Sequence, residues 1–471
     1  INQVLTNPSN ATSGTVQYLV TPTSTSGSCA GSAYTLTVTV NPVPVLTSAT
    51  SATICSGTSP NVSLTSSVAS SFSWTLGTNT GSISGASAGS GTSINQTLTN
   101  PSNATAGLIE YIVTPTSTAG SCAGSPATVT ITVNPIPVVT NSASVNACNG
   151  ISPNISLTSS AASNFSWTLG TVTGGITGAS AGAGASINQA LTNPSDSSAG
   201  TVPYIVTPTS TGGACAGSAF TITVTVNPTP VVTNASTATI CSGTSPNIVL
   251  TASAASNFSW TIGAITGGIT GASASSGTTI SQILTNPGNA SAGTVQYLVT
   301  PTTTSGSCAG AAYTITVTVN PGPAVTNAST ANVCSGNSPN ISLTATVPSS
   351  FSWTIGAIVG GIGGAIAGTG ATINQVLTNP SNSLSGTVEY IVTPVSTSGT
   401  CSGSLDTITI TVNPVPAITN SATKNICSGT STSISLTSSV VSNFSWTIGT
   451  ITGAITGASA GSGNTINQAL T

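Results

Sequence analysis

The sequence predicts an all-β chain built as a tandem array of small β-sandwiches. Three observations predict it: a strict internal period, strand-type alternation inside each period, and turn-forming clusters between the alternating runs. Trp74, Trp167, Trp260, Trp353 and Trp446 follow one another at intervals of 93 residues. Tyr18, Tyr111, Tyr204, Tyr297 and Tyr390 keep the same step, as do the Asn-Pro pairs beginning at Asn41, Asn134, Asn227, Asn320 and Asn413. A fixed period of this kind is the signature of a repeat architecture. The 471 residues hold five periods and six residues more. Repeat boundaries are expected at 43–135, 136–228, 229–321 and 322–414, with the C-terminal part of a repeat over 1–42 and the N-terminal part over 415–471.

Within 43–135 the strands follow in order. Val62 and Leu64 alternate with polar residues, then Phe72, Trp74 and Leu76, then Ile109, Tyr111 and Val113. Val129, Ile131 and Val133 alternate with Thr128, Thr130 and Thr132, and Asn134-Pro135 ends the run. Period-two alternation places one side of each strand in a core. Val, Ile, Thr and Tyr suit a pleated, half-buried surface. Gly, Ser, Asn and Pro clusters separate the runs, and nothing recurs at helical spacing. About seven short strands in a period, with one Trp and one Tyr inside, predict an immunoglobulin-like sandwich. The polar phase of each strand is expected to face solvent. Prolines such as Pro42 and Pro44 fix φ at the junctions, which predicts stiff, short connections and an extended rod of repeats.

Composition excludes most chemistry. The chain has no His and no Arg; its one cation is Lys424 and its anions are Glu110, Asp196, Glu389 and Asp406. General acid–base work needs a titratable group beside the reacting bond, and a nucleophilic Ser or Thr needs a base. No such set recurs, so no catalytic residue and no cofactor are expected. Four scattered acids cannot build a calcium loop in every repeat. Widely spaced Cys without His do not make a zinc cluster. A single Lys is no basic face for nucleic acid. The longest stretch without a polar side chain, 355–368, is glycine-rich and too short to span a bilayer, so no membrane insertion is expected in this segment.

Two Cys recur in every period: Cys29, Cys55, Cys122, Cys148, Cys215, Cys241, Cys308, Cys334, Cys401 and Cys427. Their spacing alternates between 26 and 67. Pairing across the 26-residue spacing would make the chain double back over a whole strand, roughly 40 Å for 12 residues, whereas the Cα atoms of a disulfide lie within about 7 Å. The expected bridges are therefore within repeats: Cys55–Cys122, Cys148–Cys215, Cys241–Cys308 and Cys334–Cys401. Cys29 and Cys427 would pair outside residues 1–471. Residues 1 and 466 also share one phase of the period, which predicts a stretch of a longer array. Regular bridges imply an oxidising, extracellular setting.

The recurring frame is CSGTSPN(I/V), FSWT, ITGASAGSG, Y(I/L)VTP, a Cys, and T(I/V)TVNPxP. It resembles the PKD-like, immunoglobulin-like repeats of giant cell-surface proteins of Bacteroidota, over every full period and both partial ones. The resemblance implies export by type IX secretion and a filamentous surface adhesin of the gliding type. The repeats would form its non-enzymatic shaft, projecting a binding tip and transmitting force. Its partners would be neighbouring repeats of the same longer chain, with the surface ligand unspecified. The alternative is a fibre or coat of laterally associating chains, because a neutral Thr/Ser surface lacks the charge that keeps chains apart.

Overall fold

Each period's alternating runs do become strands. In the computed structural model, which describes residues 1–471, there are strands and turns but no helix. The first complete repeat holds β1 (Ser51–Cys55), β2 (Val62–Ser63), β3 (Ser70–Thr80), β4 (Gly89–Ser90), β5 (Ser93–Ile94), β6 (Gly107–Ser117) and β7 (Ala127–Asn134). β1, β7, β6, β3 and β4 form one five-stranded sheet in that order; β2 pairs with β5 on the other side of the core. β7–β6 and β6–β3 are antiparallel, but β1 runs parallel to β7, with Ser51 opposite Thr130 and Cys55 opposite Asn134. The order recurs in the three following repeats. This is an all-β, immunoglobulin-like sandwich repeated along the chain.

The chain forms two compact units. One comprises Ile1–Pro230 with Thr303–Cys308, the other Val231–Thr302 with Ala309–Thr471. Four separate hydrophobic cores are present, each drawn from a single period. In the first, Ile109, Tyr111, Val113, Val129, Ile131 and Val133 are completely buried, and Phe72 and Trp74 nearly so. Leu76, expected on the buried phase, is 39% exposed. The reason is local: β3 shifts register against β6 between Leu76 and Asn79, so the alternation breaks there. On β7, Thr128 is exposed while Thr130 and Thr132 are only half-exposed.

Burying Tyr and Trp requires partners for their polar tips. The Trp74 Nε1–H donates to the Ser87 carbonyl at 3.1 Å. Gln96 Nε2 donates to the same carbonyl, and Gln96 Oε1 accepts from Ser87 N–H and from the Tyr111 hydroxyl at 2.9 Å. This Trp–Ser–Gln–Tyr network gives the Gln of Ile94-Asn95-Gln96 a structural role. It returns with Trp167, Ser180, Gln189 and Tyr204, around Tyr297, and around Tyr390 with Ile366 in the place of the Ser.

Burial pushes the hydroxyls of Tyr111, Tyr204, Tyr297 and Tyr390 up to about 12, from about 10 in an unfolded chain. A raised value favours the neutral, folded form. That stabilisation is complete below about pH 10 and disappears as pH rises from about 10 towards 12. With so few other ionisable groups, thermal unfolding is expected to be nearly independent of pH between about 5 and 8 and to fall steeply above about 10. Calorimetry across that range checks it. A Tyr204→Phe chain should lose the alkaline dependence of its own repeat only.

Candidate functional site: the junction between repeats

The residues singled out in the sequence are cysteines, and the structure places them at the ends of the sandwiches. Ser56, Gly57 and Thr58 hold Cys55 in a tight turn at the end of β1. Ser56 N–H donates to the Asn134 carbonyl at 2.9 Å, Gly57 N–H to the Leu98 carbonyl at 2.8 Å, and Thr58 Oγ1 to the Cys55 carbonyl at 2.7 Å. Cys55 therefore lies beside the last residue of β7.

Cys122 sits in the loop before the first residue of β7. The strand between them has eight residues, about 26 Å at 3.3 Å per residue. The two cysteines of one repeat are thus at opposite ends, and the expected pairing within repeats is incorrect. The bonds are Cys55–Cys215, Cys148–Cys308 and Cys241–Cys401, each with a sequence separation of 160 and Cα atoms 5.4–5.5 Å apart. Each joins the end of one repeat to the loop at the start of the next. Cys29, Cys122, Cys334 and Cys427 are free thiols in residues 1–471; Cys122–Cys55 and Cys334–Cys401 do not form. The difference arises in β1, which runs parallel to β7. Ala52 and Ile54 alternate with Ser51 and Thr53, a short strand legible in retrospect, and its parallel course carries Cys55 to the far end.

The receiving loop is rigid. Cys215 N–H donates to Ser210 Oγ at 3.1 Å, Ser210 N–H to the Cys215 carbonyl at 2.9 Å, and Gly217 N–H to the Pro208 carbonyl at 2.8 Å. Cys215 is almost completely buried. The two repeats meet so closely that side chains are excluded. A Cβ on Gly213 would lie 2.2 Å from Asn134 Nδ2, and one on Gly217 would lie 2.0 Å from the Pro137 carbonyl oxygen. A third contact ties the linker in. Val138 N–H donates to Ser160 Oγ at 3.1 Å, and Ser160 Oγ donates to the Asn103 carbonyl of the preceding repeat.

The second unit repeats this arrangement with Cys241–Cys401, Gly399 against Asn320, Gly403 against the Pro323 carbonyl, and Thr346 donating to the Asn289 carbonyl. Beside it lies a cleft of about 210 Å³ lined by Ala290, Asn320, Pro321, Val347, Pro348 and Thr397, without a titratable side chain. No three His, Cys, Asp or Glu side chains stand together anywhere. No helix is long and apolar enough to cross a membrane. The junction is held by a disulfide, backbone hydrogen bonds and close backbone packing.

A family model described as PKD-like domain matches five stretches: 1–44, 52–137, 145–230, 238–323 and 331–416. The chain belongs to the PKD-like domain family. No curated protein sequence matches it. Among solved structures, the PKD-like array is similar to Drosophila N-cadherin EC1-4 at 13% identity, covering 77% of this chain and 98% of that one, with a TM-score of 0.20. It is also similar to mouse protocadherin-24 EC1-3 at 12% identity, covering 58% of this chain and 96% of that one, with a TM-score of 0.24. The insect immune protein hemolin matches at 12% identity over 79% of this chain and 100% of its own, with a TM-score of 0.22. At these scores the sandwich topology of the PKD-like repeats rests on their own strand order, not on these likenesses.

Proposed function

We propose that this chain is the non-enzymatic shaft of a filamentous cell-surface adhesin, exported by type IX secretion from a member of the Bacteroidota, and that it transmits force from a binding tip during gliding. The observation that carries the reading is the junction: repeat after repeat is sutured to its neighbour by a disulfide and by glycine-tight backbone contact. Repeats that differ so little suit a spacer, whose stability is a sum of units and neighbour contacts. Disulfides at fixed intervals persist outside the reducing cytosol. A surface of Thr, Ser and Asn is insensitive to salt, since there is almost no charge to screen. Repeat boundaries at 43–135, 136–228, 229–321 and 322–414 fit the four cores.

The test is made on intact cells. Beads carrying an antibody raised against one repeat should bind the surface of cells that make the protein and be carried along it. Beads that bind and stay still would remove the gliding role and leave a static adhesin or a coat. Absence of labelling on intact cells, with labelling after lysis, would overturn the surface assignment.

A further inference from the structure

The bonds do more than fasten neighbours, because of the order in which they skip along the chain. From Cys55 a disulfide leads to Cys215. Twenty-six residues of backbone then lead to Cys241, and the next disulfide to Cys401. A second route never touches the first: 26 residues from Cys122 to Cys148, the disulfide to Cys308, and 26 residues on to Cys334. The stretches 56–121, 149–214, 242–307 and 335–400 lie on neither route; each runs from one to the other. These cross-stretches hold most of every core, including Phe72, Trp74, Ile94, Leu98, Ile109 and Tyr111 of the first.

We infer that the chain is a covalent ladder whose two disulfide-spliced rails carry tension past the folded cores, so that the array resists extension even when its repeats unfold. The rails are short and already about half strand: the segment from Cys122 to Cys148 contains β7 and the parallel strand Ser144–Cys148 of the following repeat. The backbone from Cys55 to Cys401 is 346 residues long, whereas the rail between them contains only 26. At about 3.6 Å per extended residue, the limits are about 1,250 Å and about 95 Å, a thirteen-fold difference. Reduction converts the one into the other. The inference concerns the covalent connectivity and holds whatever surface the shaft belongs to.

The experiment is single-molecule pulling on the whole chain, held close to positions 55 and 401. Peptide mapping without reductant comes first; a Cys55–Cys122 peptide in place of Cys55–Cys215 would overturn the ladder outright. The oxidised chain is expected to show no unfolding step that releases a full repeat, which would be about 330 Å for 93 residues. After addition of dithiothreitol the same molecule should show such steps. A chain carrying Cys55→Ser and Cys215→Ser should fall between. Its shortest covalent route now crosses two of the cross-stretches and one rail segment, about 160 residues, so its limit rises about six-fold to roughly 580 Å. Full-repeat steps from the oxidised chain, or a limit unchanged by the double substitution, would refute the inference. This result is independent of cell labelling, so failure of the adhesin reading and failure of the ladder are told apart.

Discussion

Replacing Trp167 with alanine is expected to destabilise its own repeat strongly and leave the other three complete repeats unaffected. Trp167 is nearly fully buried in the second core, against Phe165, Ile187 and Tyr204. Truncating a buried Trp typically costs about 3–5 kcal/mol. A repeat of this size has roughly 5–14 kcal/mol in all, so the loss consumes a large part of it. Hydrogen bonding contributes less. The Ser180 carbonyl that Trp167 Nε1 reaches at 3.1 Å keeps its second donor, Gln189 Nε2 at 3.0 Å. The damage is a void: Gly182 packs directly on the indole, so close that a Cβ there would lie 2.8 Å from Cζ2. That glycine has no side chain that could swing in to fill the space. The four cores share no residue, so the effect should stay local. Hydrogen exchange checks this: amides of Ser163–Leu169 and Gly200–Ser210 should lose protection, while those of Gly107–Ser117 and Gly386–Ser396 keep theirs. A fall in protection along the whole chain would show that the repeats unfold as one.

How much of this was legible in the sequence depends on whether the signal was local. Strand phase was legible because alternation is a property of neighbouring residues. Tyr111, Val129 and Ile131 are buried as their patterns require. The Trp and Tyr of each repeat were visible as periodic marks. That Gln96 joins Trp74 to Tyr111 was not, because the link passes through the Ser87 backbone, whose position depends on a loop. Leu76 misled because a bulge interrupts an otherwise regular strand.

The cysteines misled for a deeper reason. The alternating spacings of 26 and 67 offer each Cys only its nearest neighbours as partners. The true partner of Cys55 is the equivalent of the expected one, a single period further along. Such a displacement leaves composition, spacing and periodicity unchanged. It can be read only from the direction of a five-residue strand, β1, which lies parallel to β7 and so delivers Cys55 to the opposite end of the sandwich. The same close approach recurs where Asn41 faces Gly120 and Pro44 faces Gly124 beside Cys122. Close backbone approach is thus a regular part of the junction, beside the disulfide.

That close approach gives the second large effect, which should follow from one methyl group added two residues from Cys215. Gly217→Ala is expected to prevent the Cys55–Cys215 bond from forming while leaving both adjoining cores intact. The new Cβ would stand 2.0 Å from the Pro137 carbonyl oxygen and 2.8 Å from Pro208 Cγ. The first is backbone of the entering linker, and the second is a proline ring with almost no freedom, so the repeats must separate by about an ångström or more to relieve the contact. A disulfide tolerates little such displacement. The closed loop is 160 residues long, for which the chain-entropy model gives about 5 kcal/mol of stabilisation, lost together with the bond. Thiol titration of the folded chain should rise from the four free cysteines Cys29, Cys122, Cys334 and Cys427 towards six. Near-ultraviolet circular dichroism should still report Trp74 and Trp167 in ordered surroundings. The contrasting substitution is Gly212→Ala in the same loop, where an added Cβ meets nothing within 4 Å. It should leave the thiol count at four. If both variants kept the bond, the close approach of Gly217 to the linker would not govern the junction, and the sulfur atoms alone would hold the repeats together.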